Sequence, residues 1–242
     1  MILPQSISPS WETFLTKDIL KKLGEIENNI GTNYTPSKEK IMRFLKTDLS
    51  TATVCIIGQD VYYQPGAATG RSFEVRGLNA WDTPFKQVSL KNIVRLIHKS
   101  YNDLKSYQDI KKYLEILVEI DNNNFPILSP NKWFDSLEQQ GVIFLNTYLT
   151  CEMGKPKSHR LIWEEFSTEL LTYISSQRPD LNWFLWGKEA ISKKPYIKNG
   201  IIFSSRHPML CSNKYPDDFL KSNCFEDTKN IVNWLGFGSP EY

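Results

Sequence analysis

The sequence predicts an α/β fold of three layers, in which a central four-stranded parallel sheet is flanked by helices. Four short apolar runs, rich in β-branched and aromatic residues, indicate strands that are buried on both faces. They are ATVCIIG at 52–58, VIFL at 142–145, WFLW at 183–186 and IIFS at 201–204. Helical patterns lie between the runs, and this alternation is typical of parallel strands joined by crossover helices.

The helices are predicted from apolar residues that recur at intervals of three and four positions. LKNIVRLIHKSY carries such a stripe from Leu90 to Ile97, and IWEEFSTELLTYI carries another from Ile162 to Ile174. SWETFLTKDILKKLGEI predicts a helix before the first strand, with Ser10 as its N-cap. YQDIKKYLEILVEI and the second half of FLKSNCFEDTKNIVNWL predict two more helices.

The domain organisation follows from length and from the absence of repeats or low-complexity linkers. A chain of 242 residues with 40% hydrophobic residues is long enough to bury a substantial core. We predict a single domain over residues 1–242. The longest gap between strands suggests an extra segment at about 100–131, which we expect to be an elaboration on the surface.

The composition limits the function classes. A net charge of +2 does not by itself indicate a nucleic-acid partner, although a local basic patch would suffice. The four cysteines form no C-x-x-C pair, the first ten residues lack a signal-peptide pattern, and no run is long enough to span a membrane. The three histidines are scattered. We therefore expect a cytoplasmic protein with reduced thiols, no membrane association and no protein-held metal. We also expect it to be a monomer.

Polar residues follow each of the four predicted strands. Because the carboxyl ends of parallel strands meet at one edge, where open sheets bind their ligands, these residues should form one cluster. The alternative explanation is that polar residues follow the strands only because loops are generally polar. The residues in question are Gln59-Asp60, Asn146-Thr147, Gly187-Lys188 and Arg206-His207-Pro208.

The stretch GQDVYYQPGAATGRSF at 58–73 follows the first strand and contains three glycines. It matches neither G-x-x-x-x-G-K-[ST] nor G-x-G-x-x-G, so it is not predicted to cradle a phosphate. A carboxylate flanked by aromatic side chains suits a flat ring and a cationic sugar intermediate, which Asp60 would stabilise. Tyr62, Tyr63 and Phe73 are equally compatible with packing or turn roles.

An ordered set of motifs resembles family 1 uracil-DNA glycosylases. GQD-x-Y-x-x-PG-x-x-x-G-x-SF resembles the family's water-activating loop, and GVIFLNTYLTCEMGKPKSH its uracil-recognition strand and the segment that follows. SLKN at 89–92, WG at 186–187 and HP at 207–208 are similar to its proline-rich, glycine-serine and DNA-intercalation loops. SWETFL and TPSKEKIMRFLKTDL also match. The resemblance covers most of the chain except about 100–131.

The resemblance implies a compact α/β fold and a monofunctional enzyme that hydrolyses the bond between uracil and deoxyribose in DNA. The substrate is uracil in single- or double-stranded DNA, flipped into a pocket, and no cofactor is needed. DNA-mimic inhibitor proteins are further partners that it suggests. The implied catalytic residues are Asp60, which orients water, and His207, which stabilises charge on uracil O2. The implied uracil-pocket residues are Gln59, Tyr62, Phe73 and Asn146; the implied DNA contacts are Ser89, Lys188, Leu210, Cys211 and Ser212.

The sequence departs from the family pattern at several of these positions. Val61 stands where the family usually has proline, and Tyr63 where it usually has histidine, so Tyr63 is a candidate modulator. FKQVS at 85–89 replaces a proline-rich stretch, and Lys188 replaces a serine. In HPMLCS at 207–212, counting gives Cys211 as the apolar wedge, with Leu210 one residue away.

Three functions are compatible with these residues. The first is an active uracil-DNA glycosylase, which we favour because a binding module has no need for both a carboxylate and a uracil-reading amide. The second is a weakly active or inactive DNA- or protein-binding module on the same fold, suggested by the altered loops. The third is a hydrolase of free nucleosides, which breaks the same type of bond.

Overall fold

The central sheet consists of four parallel strands, as the sequence predicts. A computed structural model describes residues 2–238 of the chain. The strands of the chain are β1 (Tyr34–Thr35), β2 (Val54–Asp60), β3 (Val142–Tyr148), β4 (Cys151–Glu152), β5 (Asn182–Trp186) and β6 (Ile201–Ser205). The central sheet has the order β3-β2-β5-β6, and β1 pairs with β4 in a small antiparallel ladder. In the main sheet Gly58 of β2 lies opposite Asn146 of β3.

Helices cover both faces of this sheet and complete the three layers. They are α1 (Lys17–Asn29), α2 (Lys38–Ile41), α3 (Val88–Tyr101), α4 (Tyr113–Asp121), α5 (Pro130–Gln139), α6 (Arg160–Gln177) and α7 (Lys188–Ile191). Alternate residues of β2 point to opposite faces, so Cys55 and Ile57 pack with α1 and α6. Val54 and Ile56 pack with α3, α4 and α5 on the other face. Two apolar cores therefore hold the sheet between them.

The strand order places a crevice at the carboxyl edge. From β2 the chain crosses to β3 on one side, and after β3 it passes back over β2 to reach β5. Strands β2 and β5 are thus neighbours whose connections leave in opposite directions. Such a switch point leaves a gap between the connecting segments, which is where open α/β sheets bind ligands.

Both ends of the chain differ from the sequence predictions. The first helix begins at Lys17 rather than near Ser10, and Thr16 caps it by accepting a hydrogen bond from the Ile19 N–H at 3.3 Å. Ser10 instead accepts a hydrogen bond from the Leu49 N–H, because a short 3-10 turn over Pro9–Trp11 directs Trp11 into the core. The prediction of Ser10 as N-cap is therefore wrong.

The predicted C-terminal helix is also wrong, since the chain from 223 to 236 forms successive turns. Side chains of other elements engage the backbone that a helix would use. Trp234 N–H donates to the Tyr101 hydroxyl at 2.9 Å, and Asn233 N–H donates to Gln140 Oε1 at 2.8 Å. Tertiary hydrogen bonds have here replaced the helical ones.

Two further expectations need correction. Strand β6 lies at the sheet edge and is not buried on both faces, and Ile201 is 59% exposed. The segment at 100–131 is more than a surface elaboration, because it contributes Ile116 and Phe125 to the core. Only its outer face, with Leu114 and Val118, is exposed.

The remaining sequence expectations concern membranes, thiols and metals. None of the helices within residues 2–238 is long and apolar enough to cross a membrane. Cys55, Cys151 and Cys224 are buried free thiols, and Cys211 is partly buried. Among the residues that the structure describes, no group of three or more histidine, cysteine or acidic side chains is arranged to hold a metal ion.

Candidate active site

A cavity of about 210 Å³ opens at the carboxyl edge of the sheet, beside the ends of β2 and β3. Three of the four strand ends that the sequence singles out contribute to it. Eight predicted site residues line it together: Gln59, Asp60, Tyr62, Tyr63, Phe73, Ser89, Asn146 and His207. Gly58, Val61, Arg71 and Pro156 complete the lining. The sheet therefore gathers residues that are up to 149 positions apart, from 58 to 207, around one space.

Asp60 is the carboxylate of this cavity and lies at the last position of β2. Its Oδ1 accepts a hydrogen bond from the Val61 N–H at 3.2 Å, and its Oδ2 accepts one from the Lys157 N–H at 2.5 Å. Burial raises the pKa of Asp60 to about 6, although these two N–H groups and the Lys157 charge favour the ionised form. At neutral pH the carboxylate is thus ionised but poorly solvated, which suits a water-orienting base.

Asn146 lies on the adjacent strand with its side chain against the backbone of Gly58. It is 4% exposed, so its amide is almost entirely enclosed by protein. A Cβ atom at Gly58 would lie 2.5 Å from Asn146 Oδ1 and 2.7 Å from Ser72 Cβ. Glycine is needed here for this close approach. The strand pair therefore fixes an amide, which both donates and accepts hydrogen bonds, at the wall of the cavity.

Two aromatic side chains form further walls. Phe73 has a left-handed backbone with a φ of 64°, and its ring centroid is 5.4 Å from that of Trp186 and 6.3 Å from that of His207. Such a backbone is uncommon for a bulky residue and recurs at functional sites. The Tyr62 hydroxyl donates to the carbonyl oxygen of Phe73 at 3.4 Å, which joins the two walls.

His207 faces the cavity as a neutral imidazole. Its Nδ1 accepts a hydrogen bond from the Met209 N–H at 3.1 Å, so Nε2 carries the proton of the neutral ring. Burial lowers the pKa of His207, which favours this uncharged form. Gly187 has a φ of 92° and packs against the imidazole, since a Cβ there would lie 2.9 Å from His207 Cβ. The Gly187 strand end thus supports the site from behind His207.

Four of the predicted DNA-contacting residues lie outside the cavity lining. Lys188 is exposed at the start of α7, and Ser212 donates its N–H to Asp218 Oδ2 at 2.5 Å. Leu210 is 59% exposed. Cys211 is partly buried against the core, and its thiol donates to the Pro208 carbonyl oxygen at 3.4 Å. Of the two candidates for the apolar wedge, Leu210 therefore projects from this loop and Cys211 does not.

The loop that carries Leu210 is braced from two sides. Asn92 Nδ2 donates to the Pro208 carbonyl oxygen at 2.6 Å, and Asp218 accepts from the Ser212 N–H. The Arg206 guanidinium carbon stacks 3.5 Å from the centroid of the Tyr215 ring. These contacts fix the backbone of the loop, from which the side chains of Leu210 and Met209 extend into solvent.

Sequence reasoning did not predict the parts that three residues play in shaping the site. Gly58 is recognisable only once Asn146 is seen against it, and Gly187 only once His207 is. Lys157 contributes through its backbone N–H, which no residue-type pattern reports. The sequence signal nearest to Lys157 is the Gly-Lys-Pro-Lys turn at 154–157.

The sheet order and the cavity define the chain as an α/β protein that encloses a carboxylate, an amide and a neutral imidazole at the carboxyl edge of a parallel sheet. No family model matches the chain. Curated proteins, in contrast, include relatives that match most of the chain. Uracil-DNA glycosylase from Clostridium beijerinckii is 32% identical over 233 residues, which cover 92% of this chain and 90% of that protein. The Borreliella burgdorferi enzyme is 31% identical over 249 residues, which cover 94% and 98%.

Solved structures agree with this likeness at the level of the fold. The uracil-DNA glycosylase of Nitratifractor salsuginis superposes with a TM-score of 0.71 at 16% identity, covering 97% of this chain and 94% of that one. The mimivirus uracil-DNA glycosylase gives 0.61 at 21% identity, with 86% and 70% covered. From the identity and coverage of the curated relatives, the chain belongs to the uracil-DNA glycosylase family.

Proposed function

We propose that this chain hydrolyses the N-glycosidic bond between uracil and deoxyribose in DNA, releasing uracil and leaving an abasic site for base excision repair. The observation that carries the proposal is the meeting of Asp60, Asn146 and His207 around one cavity. The family's curated members are named for this activity. The reaction stops at the abasic site, so the enzyme is monofunctional.

Each group has a distinct part in this reaction. As the bond between C1′ and uracil N1 breaks, positive charge develops on the sugar and negative charge on the base. Asp60 stabilises the cation and orients the water that adds to C1′. The Nε2–H of neutral His207 donates to uracil O2, where the negative charge collects. A neutral donor suits this role because its proton is shared with the departing base without a prior protonation step.

The walls of the cavity account for base selection. The Asn146 amide donates and accepts along the polar edge of uracil, and this pattern rejects cytosine. Phe73 stacks on the ring, and Tyr62 occupies the space that the methyl group of thymine needs. Gln59 adds polar contacts at the pocket, and Tyr63 modulates the water side of the site. The role proposed for Tyr63 is supported by its position in the cavity lining and by its exposure of 40%.

Binding to DNA is proposed for the surface around the cavity mouth. Ser89 lies in the first turn of α3, where backbone N–H groups favour a phosphate. Lys188 and Ser212 grip further phosphates beside the flipped nucleotide, and Leu210 fills the gap that the base leaves. A variant of the mimivirus enzyme was solved in complex with UGI. We propose that a DNA-mimic inhibitor protein would compete with DNA for the same surface here.

The test is base release from single-stranded DNA that contains uracil, in the presence of EDTA, followed by alkaline cleavage of abasic sites. Wild-type protein should give cleavage that depends on Asp60, and Asp60→Asn should lose about 10²–10⁴-fold in rate. If wild-type protein cleaves no more than Asp60→Asn, the proposal is wrong and a DNA-binding role on the glycosylase fold replaces it. Cleavage of free deoxyuridine at a similar rate would instead favour a nucleoside hydrolase.

A further inference from the structure

The loop that carries Asp60 is attached to the segment from Cys151 to Lys157, which we name the clamp segment. Gly154 donates its N–H to the carbonyl oxygen of Tyr63 at 3.0 Å. The Cys151 thiol lies 3.8 Å from the carbonyl oxygen of Val61 and donates weakly to it. The Lys157 N–H donates to Asp60 Oδ2 at 2.5 Å. Three groups of the loop, on residues 60, 61 and 63, are thus held by one neighbouring segment.

This attachment matters because the loop has no internal stiffening at Val61. A proline would fix its own φ angle, whereas valine does not. The position of the Asp60 carboxylate then depends on the hydrogen bonds that it accepts. Of the two N–H groups that it receives, the Val61 donor belongs to the loop itself, and the Lys157 donor comes from the clamp segment.

Lys157 adopts an unusual conformation to make this contact. Its φ is 65°, in the left-handed region that a residue with a side chain seldom occupies. Such a conformation persists where the surroundings over-determine it. Its carbonyl oxygen accepts from the Arg160 N–H at 3.1 Å, and its Nζ lies 3.4 Å from Glu189 Oε1 on α7. The side chain and the following turn therefore hold the backbone that aims the N–H.

We propose that Lys157 is a positioning residue for Asp60, which fixes the carboxylate through its left-handed backbone N–H and keeps a cation, tied to Glu189, beside it. The inference rests on the function proposed above. With one N–H on each oxygen, the carboxylate cannot rotate freely. Asp60 lines the cavity, where the attacking water must be held.

Among the titratable groups around Asp60, Lys157 supplies the positive charge that lowers the pKa of the carboxylate. Burial raises the pKa of the Cys151 thiol to about 12 and lowers that of His207, so both are neutral at neutral pH. The phenols in the lining belong to Tyr62 and Tyr63, and Tyr148 lies opposite Asp60 in the sheet. Arg71 also lines the cavity, but its guanidinium is paired with Glu74, Asp135 and Glu138.

The test compares Lys157→Val, Lys157→Gly and the control Lys105→Val, which replaces an exposed lysine outside both the clamp segment and the cavity lining. Valine disfavours a positive φ and should withdraw the N–H, whereas glycine accepts this φ and keeps the donor. The Asp60 pKa is measured by ¹³C NMR of its carboxyl carbon, and the acidic limb of uracil release is measured in parallel. Lys157→Val should move both upward by about one pH unit, the size of one lost hydrogen bond to a charged group.

Lys157→Gly should shift the Asp60 pKa less, because it loses only the ammonium charge, and Lys105→Val should leave both values unchanged. If Lys157→Val does not fold, Lys157→Ala should shift the Asp60 pKa in the same direction, since alanine also disfavours this φ. An Asp60 pKa in Lys157→Val no higher than in Lys157→Gly would overturn the proposal. A wild-type protein without base release, but with these NMR shifts, would refute the proposed function and leave the positioning role standing.

Discussion

Replacing Gly58 with alanine adds one methyl group between β2 and the buried amide of Asn146. The backbone of Gly58 does not have a positive φ, so alanine is tolerated there and any effect must come from the contact. The new carbon would lie 2.5 Å from Asn146 Oδ1, whereas ordinary contact begins at 3.4 Å. The amide must therefore move by about 0.9 Å, the difference between these two distances.

A displacement of this size at a substrate-positioning group costs about 10²-fold in rate. Overpacking of the strand pair should also lower the free energy of unfolding by about 1–3 kcal/mol. We expect Gly58→Ala to remain folded and to release uracil about 10²-fold more slowly. The assay is single-turnover release from a single-stranded oligonucleotide, with thermal unfolding measured on the same preparation.

Gly24→Ala is the matched control, because a Cβ at this helical position meets nothing within 4 Å. It should leave uracil release unchanged and stabilise α1 by up to about 1 kcal/mol. If Gly58→Ala releases uracil at the wild-type rate, Asn146 is not held against Gly58 in the way that the strand register requires, and the assignment of the amide is wrong.

Three further outcomes test other parts of the site. Uracil release should fall as the pH drops through about 6, because burial raises the pKa of Asp60 to about 6 and only the ionised carboxylate orients water. A rate that stays constant through this pH range would contradict the role of Asp60. Leu210→Ala should reduce release from double-stranded DNA about tenfold or more while sparing single-stranded DNA, since unstacking a base costs a few kcal/mol. Cys211→Ala, the control, should leave the ratio of the two rates unchanged. Tyr62→Ala should allow thymine release from normal DNA, which chromatography of the freed bases detects.

The central sheet could be predicted because its strands are encoded locally. The runs around Ile56, Phe144 and Phe184 are continuous and apolar, and a buried parallel strand demands that pattern. Helix α5 was missed, although Ser129 followed by Pro130 is a recognisable helix start. The C-terminal turns were not predictable, because their backbone groups bond to Tyr101 and Gln140, which are distant in the chain.

In the candidate site, too, locally encoded features could be predicted, and features that depend on tertiary contacts could not. Eight residues that line the cavity could be predicted, because each follows a strand or lies in a segment that matches a family motif. The features that hold them in place depend on close approach or on backbone direction, as for Gly58 and Lys157. The choice between Leu210 and Cys211 likewise required exposure, which two adjacent apolar residues do not reveal in a sequence.

The position of β6 at the sheet edge has a consequence for the folding of the chain during its synthesis. Asp60 and Asn146 belong to the adjacent strands β2 and β3, whereas His207 follows β6, the last strand within residues 2–238, which pairs with β5 at the sheet edge. Contacts between such distant parts of a chain form slowly, because long loops must close first. During synthesis the amino-terminal strands emerge with the carboxylate and the amide well before the imidazole exists. A nascent or truncated chain would therefore lack the imidazole of the proposed site until the final strand docks.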